Sequence, residues 1–531
     1  MQEGKIIFPV LEKLVIRHCG KLIALPEAPL VQEPCGGGHR LVWSPCPLLK
    51  KLFVRYCRKL IALPEAPSSG GFRSAFPALK VLELEDLESF QRWNAVEGTK
   101  GEHILLPQLE KLSIGKCPKL IDLPEAPNLS VLEIKDGKQE IFHCVDKYLS
   151  SLTKLILRLE STETRSETGC TLIEPINLKE KRNQKSPITV MELGCCNSFF
   201  GSGALESWDY FVHLEHLEIY RCDVLVQWPE EVFQSLASLR RLVISNCKNL
   251  TGYAQAPLEP SVFERSQHLP ALRVLKLEDC ACLVEMFNVH ASLKSMTIVL
   301  CPKLESLFGR QQQGTSEFVL GSSCNEAIMP TIVSEFSSSP MNHFCPCLEN
   351  LTLHQCHSLS AVLHLPPSLK NIIISDCSSI QVLSCWLDEL PRPSLPPCLI
   401  YLNITSCAGM LGGEGVLRLP TILKNLLISN NSGLTSLESL SGDPPSLEML
   451  WLRDCSNLAS LPNEQQAYGS LQLLIINDCP AIKKLPRCLQ QQLGSIKSKE
   501  LDACFEVMTF KPKTWKEIPR LVRERRQVNR S

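Results

Sequence analysis

The chain has 531 residues, a formal net charge of −1 and a hydrophobic fraction of 44%, of which little is aromatic. That balance gives no bulk electrostatic pull toward nucleic acid or membrane surfaces, and no run of about 18 apolar residues reads as a membrane span. The opening MQEGKIIFPVLEKL lacks the basic region and apolar stretch of a signal peptide.

Along the chain, one pattern recurs. It begins at Leu11, Leu14, Ile16, Cys19 and Leu22, and returns at Leu49, Leu52, Val54, Cys57 and Leu60 and at Leu109, Leu112, Ile114, Cys117 and Leu120. Near the end it is still present as Leu471, Leu474, Ile476, Cys479 and Ile482. The spacing is L-x-x-L-x-L-x-x-C-x-x-L. We count seventeen repeats, with first positions at 11, 49, 79, 109, 129, 152, 188, 214, 239, 272, 293, 348, 369, 399, 423, 447 and 471. One repeat cannot bury its own apolar face, so repeats must stack on their neighbours. The alternating L-x-L core reads as a strand. The return, with Leu-Pro at 25–26, 63–64, 123–124, 461–462 and 485–486, reads as loops and short 3-10 turns, because proline cannot join a ladder or continue a helix. The expected fold is therefore an α/β repeat, a leucine-rich-repeat solenoid or horseshoe with a parallel concave sheet and an irregular convex side.

Domain organisation follows from the breaks in the pattern. Repeats fill 1–158, 188–308 and 348–504. A charged insertion occupies 159–187 and a Ser/Gln-rich one 309–347; both read as loops. A basic tail, 505–531, leaves the pattern, with Lys511, Lys513, Lys516 and five arginines against three glutamates. It reads as a solvated tail, with nuclear import or an acidic partner as the alternative.

The chain has 26 cysteines, and thirteen occupy one repeat slot: Cys19, Cys57, Cys117, Cys196, Cys222, Cys247, Cys280, Cys301, Cys356, Cys377, Cys407, Cys455 and Cys479. In the other four repeats the slot holds Leu87, Gly137, Glu160 and Asn431. A slot that faces the interior suits a small apolar thiol, so these are read as reduced structural cysteines of a cytoplasmic protein, with the nucleus as the alternative compartment. The cluster His343, Cys345, Cys347, His354, Cys356 and His357 has zinc-ligand residue types. Its Cys-x-Cys spacing is too tight for a zinc knuckle and Cys356 already belongs to the repeat, so no metal is assigned. No phosphate loop, nucleophile elbow, kinase signature or zincin motif is present, and no cofactor or catalytic residue is assigned.

The informative positions are those between the leucines, which point out of the concave face. The candidate protein-binding residues are Arg17, His18, Lys51, Phe53, Arg55, Tyr56, Tyr220, Arg221, Arg240, Arg241, Tyr401, Trp451 and Arg453. Arginine, tyrosine and tryptophan are the usual anchors of protein interfaces.

The L-x-x-L-x-I-x-x-C-P-x-L pattern followed by Leu-Pro, as in LEKLSIGKCPKLIDLPEAP at 109–127, resembles the leucine-rich-repeat region of plant intracellular coiled-coil/nucleotide-binding/leucine-rich-repeat disease resistance proteins, cereal type. The resemblance covers about residues 5–510. It implies a non-catalytic recognition module of innate immunity whose protein ligand is a pathogen effector or a guarded host protein. In a complete receptor of that class the repeats also restrain a nucleotide-binding domain. The chain opens directly on a repeat, so such a domain would act in cis within a longer polypeptide or in trans. Cysteine-containing repeats also occur in F-box substrate receptors of ubiquitin ligases, but those repeats are more regular and follow a helical F-box. A truncated decoy is a further alternative. Extracellular receptors prefer Asn at the turn slot and paired cysteine caps. No nucleic-acid partner is expected.

Overall fold

Each L-x-L core forms a short strand whose even positions are the more deeply buried, the alternation that a one-sided apolar pattern imposes; Ile156, Val243, Leu427, Met449 and Ile475 are buried at odd positions as well. The computed structural model describes residues 10–23, 25, 48–63, 76–93, 106–160, 185–200, 205–252, 269–287, 289–308, 345–385, 395–407, 416–439, 446–464 and 467–502. Most of both insertions and the basic tail lie outside these residues. The chain forms two bodies, Met1–Leu283 and Val284–Ser531.

Among the described residues the N-terminal body carries ten strands: β1 (Lys13–Arg17), β2 (Lys51–Arg55), β3 (Val81–Glu85), β4 (Lys111–Gly115), β5 (Val131–Gly137), β6 (Lys154–Leu159), β7 (Val190–Gly194), β8 (His216–Tyr220), β9 (Arg241–Ser245) and β10 (Val274–Glu278). Each pairs in parallel with the next, and equivalent repeat positions are register partners, as in Leu52↔Leu82 and Val54↔Leu84. The C-terminal body carries β11 (Ser295–Val299), β12 (Asn350–His354), β13 (Val362–Leu365), β14 (Asn371–Ser375), β15 (Val382–Cys385), β16 (Tyr401–Thr405), β17 (Val416–Leu419), β18 (Asn425–Ser429), β19 (Ser436–Ser439), β20 (Met449–Arg453), β21 (Leu473–Asn477) and β22 (Ser498–Leu501). Its main ladder runs through β11, β12, β14, β16, β18, β20, β21 and β22, again parallel and in register. This is the leucine-rich-repeat fold.

The repeat leucines are fully buried from the second repeat onward; Leu49, Leu52, Val54 and Leu60 have no exposed surface. Burying one such side chain is worth about 1.5–3 kcal/mol, which is why the apolar slots, and not the variable positions, hold the stack together. In β1 the same slots are only half-buried and Cys19 is exposed.

The return segments carry more regular structure than loops alone. In the C-terminal body β13 pairs with β15 and β17 with β19, both parallel. Helical turns occur at α1 (Phe142–Val145), α2 (Glu230–Ser235) and α3 (Arg487–Gln492), with a 3-10 segment at Leu205–Phe211. Aromatic rings fill the space under some of these returns: Phe142 meets Phe199 edge-on, and Phe199, Phe200 and Phe211 surround Trp208.

Among the described residues β22 is an eighteenth main-ladder strand, beyond those of the seventeen repeats. Its register with β21 aligns Lys499 with Leu474 and Leu501 with Ile476. A lysine in a leucine slot hid it; the Lys499 ammonium donates to the Leu493 carbonyl instead.

Candidate interaction surface

The turn at the cysteine slot sets which side chains are displayed. In sixteen repeats the residue before the slot has a left-handed backbone, with φ between 49° and 57°, from His18 and Tyr56 to Asp454 and Asp478. In thirteen of these its N–H donates to a carbonyl of the following repeat, as in His18 to Arg55 (3.1 Å), Tyr56 to Glu85 (2.9 Å) and Asp376 to Thr405 (2.8 Å). This residue breaks the period of two. Without it the residue after Arg55 would point inward; with it, the next residue, Cys57, does. Half of the sixteen are Asp or Asn, which adopt this region at least cost.

The cysteines then turn in under the sheet. Twelve of the thirteen repeat cysteines are buried, and no disulfide joins any of the described cysteines. Most donate to the carbonyl two residues back: Cys57 to Arg55 (3.4 Å), Cys377 to Ser375 (3.4 Å), Cys407 to Thr405 (3.3 Å). Cys455 lies 3.4 Å from the Arg453 carbonyl and 3.8 Å from that of Ile428 in the preceding repeat. Burial pushes the Cys117 and Cys222 thiols up to about 12 and the Cys407 thiol to about 11. Cys377, hydrogen-bonded to Cys356 and buried, is held far above the ordinary thiol range, and Cys479 is held there in the same way by Cys455. These thiols are structural at neutral pH, because the thiolate is the reactive form.

The structure places Arg17, Lys51, Phe53, Arg55, Tyr220, Arg241, Tyr401, Trp451 and Arg453 at outward strand positions. His18, Tyr56 and Arg221 sit one residue further on, in the left-handed position, and Arg240 one residue before its strand. His18 and Tyr56 are brought together: their rings stack with centroids 4.7 Å apart and planes 5° from parallel. Arg221 lies over the Tyr220 ring at 5.2 Å.

On the N-terminal body the face is charged, and much of that charge is paired. Arg55 contacts Glu83 and Glu85, Glu133 accepts from Lys111 (2.9 Å) with Lys154 at 3.8 Å, and Arg158 bridges Glu192 (2.9 Å) and Glu218 (3.3 Å). Burial pushes the Glu133 carboxyl up, but the hydrogen bond and charge of Lys111, with Lys154 and Lys135, outweigh it and hold the group below its usual value. A second row of pairs precedes the strands: Lys50–Glu12 (2.7 Å), Lys80–Glu110 (2.7 Å) and Arg240–Glu215 (3.7 Å). Exposed pairs of this kind add little stability; they fix the charge pattern of the face.

On the C-terminal body the outward positions of β11, β12, β14, β16 and β18 carry no Lys, Arg, Asp or Glu. Amides and hydroxyls are linked across strands instead: Asn371 donates to Asn350 (2.7 Å), Ser429 to Thr405 (3.1 Å), and His354 Nδ1 pairs with Ser375 (2.8 Å). Beside them Leu427, Trp451 and Ile475 are register partners, flanked by Met449 and Leu473. Sequence reading found Trp451 and Tyr401 but missed this neutral ladder, whose signal is the run of Asn, Ser and Thr at alternate strand positions.

No family model and no curated protein sequence matches the chain. Among solved structures it is similar to the leucine-rich-repeat domain of the type III effector XopL, at 19% identity over 54% of this chain and 75% of that one, with a TM-score of 0.27. It is also similar to YopM from Yersinia enterocolitica (18% identity, 92% of this chain, 91% of that one, TM-score 0.26) and to the circular leucine-rich-repeat protein CroV588 (13%, 86%, 67%, TM-score 0.32). The fold assignment rests on the in-register ladders described above.

Among the described residues no group of three or more His, Cys, Asp or Glu converges in a metal-binding arrangement. Of the cluster considered for zinc, Cys345 and Cys356 are buried in the core, Cys347 is exposed, and His343 lies outside the described residues. Among the described residues no helix is long and apolar enough to cross a membrane.

Proposed function

We propose that the chain is a non-catalytic protein-recognition module of plant innate immunity. It binds a pathogen effector or a guarded host protein on the open face of its ladders. Within a complete receptor it restrains a nucleotide-binding switch domain, in cis or in trans. It works in the cytoplasm, with the nucleus as the alternative site. The repeat motif with its cysteine slot supports the plant-receptor reading. The observation that supports binding is the neutral ladder ending at half-buried Trp451, which sits between buried Leu427 and Ile475 beside aligned amides and hydroxyls. Apolar strips bordered by satisfied polar groups are what a protein interface requires at its centre.

The test is site-specific cross-linking in an extract of the source tissue. A benzophenone side chain is introduced at Thr352 or Asn403 on the face, or at Lys483 in a turn. The expected result is a discrete protein adduct from the face positions that disappears in Trp451→Ala, with circular dichroism unchanged. Adducts that are as strong from the turn position, or that survive Trp451→Ala, overturn the reading.

A further inference from the structure

The first two strands carry an arrangement that a plain solvated sheet would avoid. Lys13 is the register partner of Lys51, and Arg17 of Arg55. Like charges directly opposite across a ladder are destabilising, and here two such pairs occupy one pair of strands. Arg55 is compensated by Glu83 and Glu85. Lys13, Arg17 and Lys51 make no ion pair among the described residues; Lys13 rests over the Phe53 ring at 5.4 Å. Between the two cation pairs lie Val15 and Phe53, also register partners, with Val15 41% exposed. The stacked rings of His18 and Tyr56 close one end of the patch.

The spacing defines what fits. The cation pairs are four residues apart along the strands, about 13 Å at the usual rise of a strand, and the apolar pair lies midway. An extended peptide has the same rise, so carboxylates at positions one and five reach the Lys13–Lys51 pair and Arg17, the uncompensated member of the second pair, while the side chain at position three lies over Val15 and Phe53. The motif acid-x-apolar-x-acid reads the same in either chain direction. A polyanion with charge on every unit would set charge over Val15 and Phe53 and leave their apolar surface buried under it. A flat anionic surface would meet Glu12, Glu83 and Glu85 at the border of the patch.

We propose that the face of β1 and β2 docks an extended acidic segment of a protein partner, of the form acid-x-apolar-x-acid. This deepens the protein-recognition reading and rests on it.

Fluorescence anisotropy at low salt, where exposed charge pairs are least screened, tests the assignment. The probe is a fluorescein-labelled peptide with an Asp-Ser-Phe-Ser-Asp core. The comparator has the same composition with the two aspartates adjacent. A thymidine oligonucleotide and phosphatidylserine vesicles provide the other arms. The expected result is saturable binding of the probe, weakened about tenfold or more by Lys13→Glu with Lys51→Glu and by Arg17→Glu, as loss of steering and contact charge does elsewhere. The charge-matched control Lys483→Glu with Lys484→Glu should bind normally. Should charge reversal perturb folding, Lys13→Gln with Lys51→Gln is expected to retain the fold and still weaken binding. Absence of probe binding, equal binding of the comparator, or tighter binding of the oligonucleotide or vesicles overturns the proposal. If the Trp451-dependent adduct persists in that case, only the acidic-segment assignment falls and the recognition reading stands.

Discussion

The Oδ1 atom of Asn431 accepts a hydrogen bond of 3.1 Å from the Leu434 backbone N–H, at the slot that cysteine fills in thirteen other repeats. It also accepts from Gly433 N–H at 3.0 Å. In cysteine repeats the corresponding N–H bonds the backbone carbonyl of the slot residue, as Leu458 does to Cys455 and Ile482 does to Cys479. Asn431 thus replaces a backbone acceptor with a side-chain one, and its own side chain is fully buried. Asn431→Ala should therefore cost about 1–3 kcal/mol, the penalty for buried donors left without a partner. Urea unfolding followed by tryptophan fluorescence measures it; a loss below a few tenths would show that water replaces the amide.

Leu300 occupies the left-handed position with φ 57° and its side chain 39% exposed. A non-glycine residue with an apolar side chain is strained there by about 1–2 kcal/mol, and asparagine relieves most of the strain through local hydrogen bonding. Leu300→Asn should raise stability by about 1 kcal/mol, read as a higher denaturant midpoint. Leu300→Val should lower it.

The buried thiols link stability to alkaline pH. Burial raises the Cys117 and Cys222 thiols to about 12 and the Cys407 thiol to about 11 in the folded protein, against an ordinary value of 9.0. Because the folded values are raised, the stabilisation is complete below pH 9 and is lost as pH rises from 9 through the folded values. Each such thiol contributes a slope of about 1.4 kcal/mol per pH unit within that window. Alkaline unfolding should be steep and should flatten in Cys117→Ala or Cys222→Ala. At pH 8 a brief iodoacetamide pulse should label exposed Cys19, Cys347 and Cys398 and spare Cys117, Cys222 and Cys407, as mass spectrometry of the digest would show.

Gly137 replaces the slot cysteine where the β5–β6 register shifts. A Cβ there would lie 2.5 Å from Ile134 Cγ2. Gly137→Ala should cost about 1–3 kcal/mol by overpacking, and Ile134→Leu in the same chain, which removes Cγ2 at nearly constant volume, should recover part of it. Additive losses in the double variant would show that the contact is not the cause.

Much of this fold was legible because one-sided burial writes its period into the sequence. The L-x-L cores, the slot cysteines and the parallel stacking were all readable from the spacing of Leu11, Leu14, Ile16 and Cys19 and its recurrences. The return ladders β13–β15 and β17–β19 were not, since Val362–Leu365 and Val382–Cys385 are four-residue segments stabilised by each other across separate repeats. β22 escaped because Lys499 stands in a leucine slot and meets a carbonyl that only folding brings near.

The candidate surface divides in the same way. Alternation alone put Arg17, Lys51, Phe53, Arg55, Trp451 and Arg453 on the outward positions. It could not place His18, Tyr56 and Arg221, because a left-handed residue interrupts the alternation, although Asp or Asn before the slot in half the affected repeats is its trace. Sequence by itself determined the repeat and its inward slots, both of which depend on contacts within a repeat or between equivalent positions of neighbours. The tertiary structure decided which charges neutralise one another and which remain. Arg55 reaching Glu83, Arg158 bridging Glu192 and Glu218, and Lys13 facing Lys51 depend on which repeats become neighbours and on the register that fixes their side chains a strand spacing apart.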